Sequence, residues 1–248
     1  MSSISPAQPS PHTPPKPLKV KKIEALEKKI PGCQKCPRLI NHCQTIAQKK
    51  RRAFQNDSYW GKPVSGFGDP KAQLLIIGLA PAAHGANRTG RMFTGDRSGE
   101  WLYQALFNHG FSNLPQSTHR NDSLRLKNAY ITSVAKCAPP QNKPTPKELE
   151  ACRPFLESEV QLLEQTQIIL CLGQLAYQRY WQSFQSHQRR PKFKHGLQHR
   201  LPSGQWLLCS YHPSQQNTFT GKLTRTMFHS VFQSAKSLIE KKTTSPTP

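Results

Sequence analysis

The chain has 248 residues, with 35 Lys and Arg against 13 Asp and Glu, giving a formal charge of +22 with histidines neutral. That length suits one large domain or two small ones with a substantial core. No apolar run approaches the ~20 residues of a membrane span, which argues against a transmembrane helix. A pI near 10.1 points to a polyanionic partner, since Lys and Arg facing phosphates release condensed counterions.

Taken in chain order, residues 1–20 hold six prolines and few large apolar groups. That composition buries too little surface to offset its ordering entropy, so it reads as a disordered basic tail, and residues 243–248 read alike. Residues 21–242 read as one domain. The start lacks the apolar stretch of a signal peptide, so a cytoplasmic location with reduced cysteines is expected. Cys33 and Cys36 form a C-x2-C pair ahead of the first strand, and Cys137 and Cys152 lie far downstream. One close pair plus two distant thiols can make a four-thiolate metal site once folded. Zinc ribbons usually use two close pairs, so a redox pair or inert thiols stay open. Cys171 and Cys209 lie inside apolar runs and read as core.

Four short runs predict strands covered on both faces: 72–79 (AQLLIIGL), 129–134 (AYITSV), 167–172 (QIILCL) and 205–211 (QWLLCSY). Helices are expected over 98–109 behind a Ser98 cap, from Thr145-Pro146 to about Leu163, over 173–181, and over 223–239. Strands alternating with helices predict an α/β fold: a three-layer sandwich whose central sheet has four mostly parallel strands. Ligands of such sheets bind at the carboxyl ends of the strands.

Two loops fall at that edge. The first, GLAPAAHGANRTGRMFTGDRSGEWL, starts at Gly78. Its small residues, among them Gly78, Ala80 and Ala82, allow close backbone approach to a ligand. It is neither a GxxxxGK[ST] loop nor a GxGxxG turn, so nucleotide binding has little support. Phe93 can stack on a base, Arg88 and Arg91 can hold phosphate, His84 in the same loop is a candidate for substrate binding, and Asp96 can stabilise a developing cation. The plainer readings are core packing for Phe93 and a helix cap for Asp96. The second loop, SYHPSQQNTFTGKLT, starts at Ser210. His212 there can donate to a leaving-group oxygen or act in acid–base chemistry. Ser214, Gln215, Asn217, Lys222 and Arg225 suit a DNA backbone.

These two strings, with KCAPPQNKPTP at 136–146 between them, resemble the uracil-DNA glycosylase superfamily, and its family 5 (type b) enzymes most. The resemblance spans roughly residues 23–240. It implies the fold of that superfamily and base excision by a monofunctional glycosylase, which hydrolyses the N–C1′ bond of a flipped uracil to leave an abasic site in DNA. It also implies a structural [4Fe–4S] cluster held by Cys33, Cys36, Cys137 and Cys152, with Cys43 the nearest thiol to be mistaken for a ligand. On this resemblance Phe93 holds the base, Asp96 steadies the oxocarbenium-like sugar and positions water, and His212 bonds the departing O2. Asn142 reads the base edge or holds water, its plainer reading being an ordinary loop residue. Several relatives carry Asp, Asn or Glu after the first-strand proline, whereas Pro81 here precedes Ala82-Ala83. Family 5 shares that absence, and a range extending to hypoxanthine, xanthine or ethenocytosine follows from the resemblance. A monomer acting on DNA, with no membrane, is expected. The rival from another class is a non-catalytic, metal-braced nucleic-acid-binding protein, which leaves Asp96 and His212 idle.

Overall fold

Why the chain folds as it does is clearest in its apolar five-residue runs, which bury both faces of the pleat. The computed structural model describes residues 17–244. In chain order it has α1 (Leu18–Lys29), α2 (Pro37–Lys49), β1 (Phe67–Gly68), β2 (Leu74–Gly78), α3 (Ala86–Thr89) and α4 (Arg97–Asn108). There follow β3 (Ala129–Ser133), α5 (Pro146–Leu162), β4 (Ile168–Leu172), α6 (Gln174–Phe184), β5 (Gln198–Arg200), β6 (Trp206–Ser210), α7 (Gln215–Phe219) and α8 (Arg225–Thr244).

One sheet runs in the order β1-β3-β2-β4-β6-β5. The inner four strands are parallel, with Ile76 opposite Ile131 and Leu170 and Cys171 opposite Cys209. Side chains alternate across the pleat, so each strand feeds two cores. Leu74, Ile76, Leu170 and Leu208 pack with Trp101, Phe228 and Phe232 of α4 and α8. Leu75, Ile77, Ile169 and Leu207 pack with Ile23, Leu156, Tyr177 and Tyr180 of α1, α5 and α6. The result is the expected three-layer α/β/α sandwich.

The expected four-stranded sheet is widened by two short antiparallel edge strands, β1 and β5. With two and three residues, they are too short to leave a period in the sequence. α1 begins at Leu18, inside the stretch expected as tail, because Ile23, Leu26 and Ile30 make an i, i+3, i+7 stripe that packs inward. Residues 1–16 and 245–248 lie outside the described residues. The cap of α4 is Asp96 rather than Ser98. α5 has the expected cap: Thr145 and Glu148 form a reciprocal capping box on either side of Pro146. Arg38 of α2 grips Glu148 with two 2.7 Å bonds, fastening the N-terminal helices to the sandwich. Because the inner strands are parallel, the loops after β2, β3, β4 and β6 all open on one edge. No helix among the described residues is long and apolar enough to cross a membrane.

Candidate active site

The loop after β2 delivers Phe93 in a conformation that most side chains avoid. Its φ is +53°, a left-handed backbone costing on the order of 1–3 kcal/mol that persists only where its surroundings hold it. Gly78 and Gly99 do so. A Cβ on Gly78 would lie 2.9 Å from the Phe93 ring, and one on Gly99 would collide with the Phe93 carbonyl. The ring is buried and stacks near the His212 imidazole, with centroids 5.9 Å apart and planes 28° from parallel. Two loops separated by more than 100 residues thus meet through one aromatic pair.

Asp96 caps α4 close to the Phe93 backbone, since a Cβ on Gly99 would meet both. Its Oδ1 accepts from the Gly99 amide at 2.8 Å. Its Oδ2 lies over Gly85, where even a Cβ would be 2.1 Å away. One oxygen is therefore committed to α4, and the other is turned across the loop. Burial pushes the Asp96 carboxyl above its ordinary value, while the Gly99 and Ser98 amides pull it back.

His212 follows β6, and burial, which disfavours the imidazolium, pushes its pKa down to about 4. It is neutral at pH 7 and retains one N–H donor. The Asn217 side-chain amide donates to its carbonyl at 2.8 Å. Beside it opens a cavity of about 430 Å³, lined among others by Leu172, Gly173, Gln174, Tyr211, His212 and Lys222. Gly173 and Gln174 are absent from the sequence-based set. Their signal was a glycine between an apolar strand and a helix: Gly173 has φ +94°, and a Cβ on it would press within 3.3 Å of the His212 Cβ.

The remaining expected residues divide sharply. Arg88 bonds Asp57 at 2.6 Å, the His84 carbonyl at 2.8 Å and the Gly95 carbonyl at 2.9 Å, and lies over the Phe54 ring. Arg91 is buried, pairs with Asp122 at 2.5 Å, bonds the His119 carbonyl and lies over Phe67. These guanidinium groups brace the loop: internal acceptors occupy both of them where the sequence suggests phosphate contacts. His84 turns to the Tyr59 hydroxyl at 2.9 Å. Ala80 packs against the core on the α5 and α6 side, and the Ala82 carbonyl accepts from the Gly85 and Asn87 amides. Asn142 ends a 3-10 turn with φ +57°. It is exposed, with no side-chain hydrogen bond to the described residues, so the structure does not join it to the Phe93–His212 pair. Ser214 caps α7, and Gln215 is exposed at its first position. Lys222 and Arg225 are exposed, resting over the rings of Tyr211 and Trp101 at 5.0 and 4.5 Å.

Four of the cysteines come from the segments around α2, the loop after β3 and α5. Cys33 follows a 3-10 turn, Cys36 caps α2, Cys137 follows β3 and Cys152 lies on α5. All are free thiols. Burial and the neighbouring Cys152, Glu148 and Cys33 push Cys36 up to about 11. Burial foremost raises Cys152, with Cys33 adding to it. Cys137 is raised by its hydrogen bond with Cys43 and by burial, and it also feels Cys152 and Cys33. Cys33 and Cys152 therefore lie within electrostatic reach of each other and of both Cys36 and Cys137, and Cys43 sits against Cys137. Among the described residues, no three His, Cys, Asp or Glu side chains close around a point as one metal ion requires. Cys171 and Cys209 are buried core residues, as expected.

A family model for the uracil DNA glycosylase superfamily matches residues 65–236. The chain is 46% identical over 215 residues to a type-5 uracil-DNA glycosylase of Thermus thermophilus, covering 87% of this chain and 97% of that one. It is 49% identical over 218 residues to a type-5 uracil-DNA glycosylase of Mycobacterium leprae, covering 87% and 95%. A third relative of that name, from Mycobacterium bovis, is 49% identical over 211 residues, covering 84% and 79%.

Proposed function

The chain belongs to the type-5 family within the uracil-DNA glycosylase superfamily, and from that premise we propose that it hydrolyses the N-glycosidic bond of uracil in DNA. The observation that carries this reading is the stacked Phe93–His212 pair beside Asp96, at the carboxyl edge of the parallel sheet. A base taken out of the duplex needs a flat apolar partner, and the Phe93 ring supplies it. When the N–C1′ bond breaks, its electron pair leaves on the uracil ring and positive charge grows on the sugar. His212, neutral and with one N–H, donates to the uracil oxygen that takes up the negative charge. It can do so without first losing a proton to solvent. The Asp96 oxygen turned away from α4 stabilises the sugar cation and orients a water, whose oxygen bonds to C1′ while its proton passes to solvent.

With only Ala82 and Ala83 after Pro81, that part of the loop presents no side-chain polar group to discriminate bases. This supports a range that includes hypoxanthine and xanthine. The chain acts as a cytoplasmic monomer on this reading, and the basic surface supplies the attraction for DNA.

Cys33, Cys36, Cys137 and Cys152 fit a [4Fe–4S] cluster, with one thiolate for each iron. They are free thiols on three separate segments, spaced so that Cys33 and Cys152 feel one another and both other thiols, but not close enough for one ion. When bound, the cluster supplies a structural brace between α2, α5 and the loop after β3. Cys137→Ala is expected to yield protein without iron and with a lower Tm, whereas Cys43→Ala retains iron. Elemental analysis of the two purified variants measures this, and iron retained by Cys137→Ala would overturn the assignment.

The direct test incubates the protein with duplex oligonucleotides carrying one uracil, one hypoxanthine, one xanthine or no lesion, then cuts abasic sites with alkali. Cleavage at uracil alone narrows the range to that base. No lesion-dependent cleavage refutes the function.

A further inference from the structure

His212 belongs to neither a strand nor a helix, so its aim depends on what holds the backbone on either side. Behind it, Asn217 grips its own carbonyl. Ahead of it stands Tyr211, and the partner of Tyr211 is a residue that the mechanism leaves unused. His195 lies outside the helices and strands, just before β5. Its Nδ1 is 3.3 Å from the Tyr211 amide nitrogen, which can only donate. The Ser210 hydroxyl is 3.4 Å from the same Nδ1, but its single proton has a better acceptor in the Tyr211 carbonyl at 2.8 Å. Nδ1 therefore carries no proton. The proton is on Nε2, which faces the Met227 carbonyl of α8 at 3.1 Å. The imidazole also packs on the Tyr211 ring, with centroids 5.3 Å apart. One neutral histidine in one tautomer thus ties the end of β6 to the first turn of α8.

We propose that His195 is a positioning residue for His212, its Nδ1 holding the Tyr211 amide so that the next residue presents its ring to the leaving base. The inference rests on the function assigned to His212 above. Burial lowers the His195 pKa, against a smaller opposing effect of the Met227 carbonyl, in keeping with the neutral form that the geometry requires. Displacing a catalytic group by about 1 Å can cost on the order of a hundredfold in rate, so a residue that never touches substrate can govern the chemical step.

The test separates the two ends of the imidazole. Asn at 195 offers an acceptor where Nδ1 stands, and Gln offers a donor where Nε2 stands. His195→Phe fills the space with neither. Single-turnover uracil release is expected to fall about tenfold or more in His195→Phe, with the Kd for uracil-containing duplex within about twofold. His195→Asn recovers most of the rate, and His195→Gln remains slow although it keeps the tie to Met227. Hydrogen exchange of the Tyr211 amide, which needs no catalysis, is protected in the wild type and in His195→Asn and faster in the other two. An unchanged rate in His195→Phe, equal rescue by Gln and Asn, or a Tyr211 amide equally protected in all variants overturns the proposal. A wild-type protein that leaves uracil in place refutes the functional reading instead, with the Tyr211 amide still reporting on the bond.

Discussion

The loop after β2 and the loop after β6 both carry cations, yet the first turns them inward while the second leaves them on the surface. Arg88 and Arg91 are consumed by Asp57, Asp122 and backbone carbonyls, and Thr89 and Thr94 add hydroxyl bonds within the same loop. That web holds Phe93 at a strained φ and Asp96 against Gly85. Lys222 and Arg225 are exposed, with their charged heads over aromatic rings and without a carboxylate partner among the described residues. The difference teaches how a basic protein divides labour. A preorganised pocket needs its charges neutralised internally, whereas a phosphate contact needs them unpaired until DNA arrives.

The largest effect that would sharpen this contrast is expected at Asp96. Asparagine also caps helices well, so Asp96→Asn keeps the bond to the Gly99 amide while removing the carboxylate charge. Uracil release should fall roughly 100- to 1,000-fold, with Tm and DNA affinity nearly unchanged. The pH profile carries a second signature. On the proposed mechanism the reaction needs Asp96 ionised, and burial raises its pKa. The single-turnover rate should therefore fall as pH drops through a value above the ordinary carboxylate range. His212 stays neutral until about pH 4 and adds nothing to that limb, so the limb should survive in His212→Asn. Equal loss of binding and cleavage in Asp96→Asn would leave it only a cap.

Next in size is Arg91. Arg91→Met keeps an apolar stem of similar length but removes the guanidinium from over Phe67 and leaves Asp122, itself 12% exposed, without its ion-pair partner. The expected loss is about 3 kcal/mol, seen as a Tm lower by roughly 10 °C, with the salt dependence of DNA binding unchanged. A flatter salt dependence with a normal Tm would return Arg91 to the phosphate-binding set and dissolve the contrast between the loops.

Both loops were visible in the sequence, but only part of their meaning was. The inner strands were legible because residues 74–78 and 168–172 are buried on both faces, so nearly every residue in the runs is apolar. That Phe93, Asp96 and His212 stand at one edge was legible because they follow two such strands of a parallel sheet. The fate of Arg88 and Arg91 was not. Their partners Asp57 and Asp122 lie 31 residues away in opposite directions, and no local pattern shows which way a guanidinium turns. The same limit hid α7, whose residues Gln215–Phe219 form a polar run without a buried stripe. It also hid the role of His195, which depends on a backbone amide sixteen positions downstream.

The smallest effect probes the other loop, and there the sign of the answer matters more than its size. Arg225 is exposed and stacks on Trp101, so Arg225→Gln removes a charge without emptying the core or orphaning a buried partner. Surface changes of that kind move stability by no more than about 0.5 kcal/mol. If the side chain meets a phosphate, its loss releases one counterion fewer. Plotted against the logarithm of salt concentration, binding should then flatten by about one unit of slope, with a few-fold weaker Kd near physiological salt. The rate of uracil release from the bound complex should not change, since Arg225 lies outside the Phe93–His212–Asp96 group. A slower chemical step at unchanged salt slope would place Arg225 with the preorganised pocket, and the division between the two loops would then follow burial rather than task.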